Sequence, residues 1–107
     1  MSDHVLAQLA GTIRSRRNAE ADKSYTKKLL DNGTDYCARK FGEEAVETIV
    51  AAISGSKDDL KAEASDVLYH LLVLLEAREV DLVDVLQVLH QRTSQSGLEE
   101  KASRPQS

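Results

Sequence analysis

The chain has 107 residues, enough for one domain built on a single core but not for two. Its net charge of -4 argues against general nucleic-acid binding through the phosphate backbone, and no apolar run reaches the length of a membrane span. Hydrophobic residues make up 41% and charged residues 30%, ordinary for a folded domain; few turn-formers, with one proline, and many Leu, Ala, Glu, Lys and Arg favour an all-α protein.

Residues 3–18 read as a first helix, because Val5, Leu6, Leu9 and Ile13 recur at helical spacing behind Ser2 or Asp3 as a cap. Residues 19–23 form a polar joint. A short helical turn or two at 24–33 closes on Asn32-Gly33, a stop signal. Thr34 or Asp35 then caps a long helix to about Ile53. Gly55 suits a left-handed helix end, and Ser56 with Asp59 resembles a capping box opening the next helix, which runs to roughly Glu79. Asp81 caps a last helix to about Thr93. The expectation is a domain over residues 1–93, an antiparallel bundle of four to five helices, followed by a mobile polar tail over 94–107. Cys37 stands alone, so no internal disulfide forms, and its neighbours mark it as a small buried hydrophobe. The N-terminus lacks a charged-then-apolar signal pattern, and the expected compartment is the cytoplasm.

The short loop at 54–57 makes the two long helices antiparallel neighbours, each about 30 Å long. One carries Glu43, Glu44 and Glu47; the other carries Glu63 and Asp66. Glu44 and Glu47 share a face, as do Glu63 and Asp66, because residues three apart on a helix are neighbours. The two pairs stand at similar distances from the turn, so antiparallel pairing brings them to the same height. Four carboxylates around one small space repel strongly unless a proton or counter-charge intervenes. A hard divalent cation with oxygen ligands, Mg²⁺ or Mn²⁺, resolves the repulsion. Two plainer readings compete. The glutamates lie roughly opposite Ala45, Ile49 and Ile53, where a solvated face belongs, and an Arg or Lys could pair with Glu63 or Asp66. The stretch VLYHLLVLL at 67–75 is apolar nearly all round. That exceeds what a small monomer covers and predicts a homodimer centred on the helix at 57–79. His70 reads as a buried histidine hydrogen-bonded to a carboxylate, and Tyr69 as packing.

The stretches SYTKKLLDNG, RKFGEEAVETIVAA and EASDVLYHLLVLL, in this order, resemble the phosphoribosyl-ATP pyrophosphohydrolases, which act second in histidine biosynthesis. The resemblance covers about residues 5–92. The wider group, the all-α nucleotide pyrophosphohydrolases, carries E-E-x-x-E and then E-x-x-D; here fifteen residues separate Glu47 from Glu63. Ser65 stands where many relatives have alanine. The resemblance implies Mg²⁺-dependent hydrolysis of phosphoribosyl-ATP between its α- and β-phosphates, giving phosphoribosyl-AMP and pyrophosphate. It implies Glu44, Glu47, Glu63 and Asp66 as metal ligands, Glu43, Glu44 and Glu47 as the catalytic glutamates, and Glu43 as an outer-shell group or base. Lys28 and Lys40 are expected on phosphate, with Lys27 and Arg39 as adjacent alternatives, and Ser24 and Tyr25 on the nucleotide. Gly42 is expected to allow close approach of ligand or helix. The competing functions are a housekeeping nucleoside triphosphate pyrophosphohydrolase and a non-catalytic helical dimerisation module.

Overall fold

A computed structural model describes residues 2–93, which are all-helical. Five α-helices follow in order: α1 Ser2–Ser15, α2 Tyr25–Asp31, α3 Gly33–Ser54, α4 Lys57–Ala77 and α5 Leu82–Thr93. The expected tail at 94–107 lies outside the described residues. The first helix is shorter than its periodicity suggests. It gives way after Ser15 to a 3₁₀ turn at Arg16–Asn18, and a second such turn at Ala21–Lys23 occupies the polar joint.

The sequence signals between helices act in different ways. Ser24 caps α2, its hydroxyl accepting from the Lys27 amide at 3.1 Å. Gly33 does mark a stop, with φ of 89°, a region L side chains avoid. The new helix starts at Gly33 itself behind Asn32, and neither Thr34 nor Asp35 serves as its N-cap. Asn32 looks backwards instead, its side-chain amide donating to the Lys28 carbonyl at 2.7 Å. The Ser56–Asp59 capping box forms in full, with bonds of 3.0 and 3.1 Å. Gly55, by contrast, is not left-handed; its φ is -98°. It is glycine because a Cβ there would stand 2.9 Å from the Ala51 carbonyl oxygen. The helix α4 stops at Ala77, short of Glu79, which adopts φ of 57°. The Val80 amide then reaches back to the Leu75 carbonyl at 2.9 Å, closing the helix without a glycine.

The core gathers Ile13 of α1, Leu29 of α2, Cys37 of α3, and Leu72 and Val73 of α4. It therefore sits where α3 begins and α4 ends, away from the 54–57 turn. Burial raises the Cys37 thiol pKa, and its Sγ donates to the Leu29 carbonyl at 3.2 Å, which suits a structural role. Glu76 is also buried. Arg14 pairs with it at 3.2 Å, and Arg17 binds both its carboxylate and its backbone carbonyl. A cleft of about 490 Å³ opens between α1, the C-terminal half of α4 and the start of α5.

Toward the turn, the α3–α4 hairpin stands clear of this core. Val46, Ile49, Val50 and Ile53 of α3 are all more than half exposed, Ile53 at 82%. This overturns the reading in which Ile49 and Ile53 face inward; Glu43 and Glu47 are exposed as that reading has it, whereas Glu44 is half-buried. Among the described residues, no helix is long and apolar enough to cross a membrane.

Candidate metal centre

The antiparallel register brings the two acidic motifs together midway along the hairpin. Glu44, Glu63 and Asp66 each present a carboxylate oxygen, and these atoms lie within 4.8 Å of one another. Glu47, exposed and about one turn along α3, is not among these three but places its charge near both Glu44 and Glu63. Glu44 takes a pKa of about 7, raised first by hydrogen bonding with Glu47, then by desolvation, then by the charges of Glu47, Asp66 and Glu63. Glu63 is raised as well, chiefly by desolvation and by the charges of Glu47 and Asp66.

Two oxygens of this cluster, Glu44 Oε2 and Glu63 Oε2, are buried without a hydrogen-bond partner. Buried polar atoms are normally paired, and an orphaned pair on facing helices marks a place built for a missing partner. Among the described residues, no Arg or Lys ion pair reaches Glu44, Glu47, Glu63 or Asp66, which removes the salt-bridge alternative. The donor set is all oxygen and the geometry open, which fits a hard divalent cation. A cleft of about 450 Å³ adjoins the cluster on the turn side, lined by Val46, Glu47, Val50, Ala51, Asp59 and Glu63 among others. Asp59, known from the sequence only as a capping residue, therefore also borders the site.

Glu43 is not part of this cluster. One residue on a helix turns about 100°, so it cannot aim where Glu44 aims. Its carboxylate pairs with the Lys40 ammonium at 3.2 Å and lies 3.9 Å from Arg39, which also sits over the Tyr36 ring. Glu43 raises the Lys40 pKa, by hydrogen bond and by charge. Lys40 is mostly covered at 26% side-chain exposure. Lys27 pairs with Asp31 at 2.8 Å, whereas Lys28 is exposed and makes no ion pair among the described residues. Tyr25 is 55% exposed, so it is not a core aromatic. His70 is buried with its ring edge-on to Tyr25 and Tyr69. Its pKa is lowered by desolvation and by Lys40, against the pull of Asp66 and Glu43. Lys40, Glu43 and His70 thus form a rim beside Asp66. Gly42 has no atom of another element within 4 Å of a would-be Cβ, so nothing within this chain requires a glycine there.

An all-α hairpin that gathers the carboxylates of Glu44, Glu63 and Asp66, with cations and exposed aromatic surface at the rim, defines a class: helical proteins with an acidic centre whose oxygen donors suit a hard cation. The particular assignment follows from comparison. Residues 6–93 match the family described as phosphoribosyl-ATP pyrophosphohydrolase. The chain is similar to phosphoribosyl-ATP pyrophosphatase 1 of Rhodopseudomonas palustris, 53% identical over 104 residues, 97% of each chain. It is 54% identical to phosphoribosyl-ATP pyrophosphatase 1 of Bradyrhizobium diazoefficiens over 97% of this chain and 98% of the other. Against phosphoribosyl-ATP pyrophosphatase of Dinoroseobacter shibae the identity is 55%, over 94% of this chain and 98% of the other. The chain belongs to the phosphoribosyl-ATP pyrophosphohydrolase family.

Proposed function

We propose that the protein hydrolyses phosphoribosyl-ATP between its α- and β-phosphates, releasing phosphoribosyl-AMP and pyrophosphate in the histidine pathway. Family membership supports the substrate. The observation that carries the chemistry is the pair of orphaned carboxylate oxygens on Glu44 and Glu63. Glu44, Glu47, Glu63 and Asp66 would hold Mg²⁺, with Mn²⁺ as a substitute. When bound, the cation neutralises phosphate oxygens and acidifies water. A glutamate of the cluster left free of it accepts the water's proton. Glu43 contributes from the rim by holding Lys40 and Arg39 where the triphosphate arrives. Lys40 and Lys28 meet phosphate as point charges. The exposed ring of Tyr25 meets the nucleotide, and Ser24 fixes the start of the helix that carries Tyr25 and Lys28.

The protein works as a cytoplasmic homodimer in this reading. Val46, Ile49, Val50 and Ile53 of α3, together with Leu68 of α4 at 44% exposure, offer the apolar surface a second copy would cover. Most of that surface is on α3, although the all-round apolarity of α4 first suggests the dimer. The deciding assay is incubation with phosphoribosyl-ATP, with and without Mg²⁺, and product identification. Pyrophosphate and phosphoribosyl-AMP, formed only with metal, are expected. Rapid release of pyrophosphate from dATP or dUTP, with none from phosphoribosyl-ATP, would reject the assignment.

A further inference from the structure

Of the side chains assigned to substrate, Lys40 shares α3 with two of the carboxylates, but the others sit on a separate helix. Ser24, Tyr25 and Lys28 belong to α2 and its cap, while the carboxylates belong to α3 and α4. A helix of seven residues does not hold itself in place; its position comes from tertiary contacts. On its inner side α2 is fixed by buried Leu29 and by the bond from Cys37 Sγ to the Leu29 carbonyl. On the side toward α4 the contact is polar and aromatic. The Thr26 and Tyr69 hydroxyls share a hydrogen bond. The Tyr25 and Tyr69 rings are stacked, with centroids 6.4 Å apart and an interplanar angle of 19°. Tyr69 in turn rests on buried His70, edge-on at 5.0 Å.

Tyr69 lies one helical turn beyond Asp66, so it connects α2 directly to the helix that carries two of the four carboxylates. Desolvation raises its pKa, which keeps the hydroxyl protonated and able to donate or accept. We infer that Tyr69 is a positioning residue: through Thr26 and Tyr25 it sets the distance between the nucleotide-binding helix and the acidic centre. It does not touch the reacting atoms. The inference rests on the hydrolase reading above and adds to it the residue that registers one half of the site against the other.

The test uses the full-length protein. Tyr69→Phe keeps the ring and its stacking and removes the hydroxyl. Thr26→Val removes the partner with little change of shape. Each is expected to raise KM for phosphoribosyl-ATP about three- to tenfold, the worth of one net hydrogen bond, with kcat changed less than about twofold. The double variant should be no worse than the weaker single, because both remove the same bond. Mn²⁺ affinity should not change. Amide hydrogen exchange should speed up in α2 in both single variants and stay as it was in α3 and α4. A residue that merely packs would lower stability without splitting KM from kcat. Unchanged KM, multiplicative effects in the double variant, or unchanged α2 exchange each overturns the inference. Absence of turnover by the unaltered protein overturns the hydrolase reading itself, and is separable because the exchange measurement needs no substrate.

Discussion

Replacing Glu44 by Gln should stabilise the metal-free protein while abolishing its response to metal. In the folded chain the carboxyl ionises near 7 where its ordinary value is 4.5. Taken in full, that elevation corresponds to about 3 kcal/mol against the ionised, folded state. Glu44 is only half-buried and water screens its neighbours' charges, so about 1–2 kcal/mol is the realistic gain. The sign follows from linkage. The folded pKa lies above the unfolded one, so the protonated form's stability is complete below 4.5 and is lost as pH rises through 7. Gln cannot ionise, so its advantage should be largest at about pH 8 and nearly gone by about pH 5. Thermal melts in EDTA at one fixed protein concentration should show a rise of about 5–10 °C at the higher pH. Adding Mn²⁺ should raise the wild-type melting temperature and leave that of Glu44→Gln almost unchanged. If Glu44→Gln melts at or below wild type in EDTA at the higher pH, or if Mn²⁺ shifts both proteins equally, the acidic centre is not a strained cation site.

Glu47→Gln and Asp66→Asn should each cut turnover of phosphoribosyl-ATP at least about a hundredfold while circular dichroism stays that of the wild type; retained turnover in both would remove the site assignment. Gly55→Ala should cost about 1–2 kcal/mol in urea denaturation, since the new Cβ meets the immovable Ala51 carbonyl at 2.9 Å. Glu79→Gly should stabilise by about 1 kcal/mol, because it relieves a left-handed residue at the end of α4; a loss of stability would show that the Glu79 side chain matters more than its backbone. The Glu76 cluster should respond asymmetrically. Arg14→Met with Arg17→Met leaves a buried charge unpaired and should cost about 3 kcal/mol or more, while Glu76→Met frees two arginines that already reach solvent and should stay within about 1 kcal/mol of wild type.

Local patterns in the sequence identify the helices and the meeting of the acidic motifs, because both depend on short-range spacing. The Ser56–Asp59 box and the compact turn fix α3 and α4 as antiparallel, and equal distances from that turn place Glu44 opposite Glu63 and Asp66. Which way α3 faces does not follow from the same pattern. Periodicity tells which residues share a face, not where the neighbouring helix stands, so Ile49 and Ile53 read as core and are exposed. The left-handed position falls elsewhere than expected for a related reason: Gly55 serves a close approach, and Glu79 takes the positive φ. Thr26 with Tyr69, and Arg14 and Arg17 with Glu76, are pairings across long stretches of chain. No local motif announces them.

The inverted orientation of α3 also links metal, partner and folding. A two-helix hairpin has two broad faces and too little material to cover either. Here carboxylates with two orphaned oxygens gather where the helices face each other, while four aliphatic side chains of α3 stay exposed, Val46 and Val50 in the cleft that adjoins the cluster. Either arrangement alone disfavours the isolated chain, the first by charge crowding and the second by hydration of apolar surface. Turning α3 over would bury aliphatic side chains against α4 and carry Glu44 into water, relieving both at once. The chain resists that solution because α3 is anchored at its other end by Cys37 in the core and by the turn at Gly55. In the proposed reading, a cation relieves the charge crowding and a second copy relieves the hydration of apolar surface. It follows that metal and protein concentration should stabilise the fold together. A melting temperature that rises with Mn²⁺ by the same amount at every protein concentration would mean that the two faces act independently.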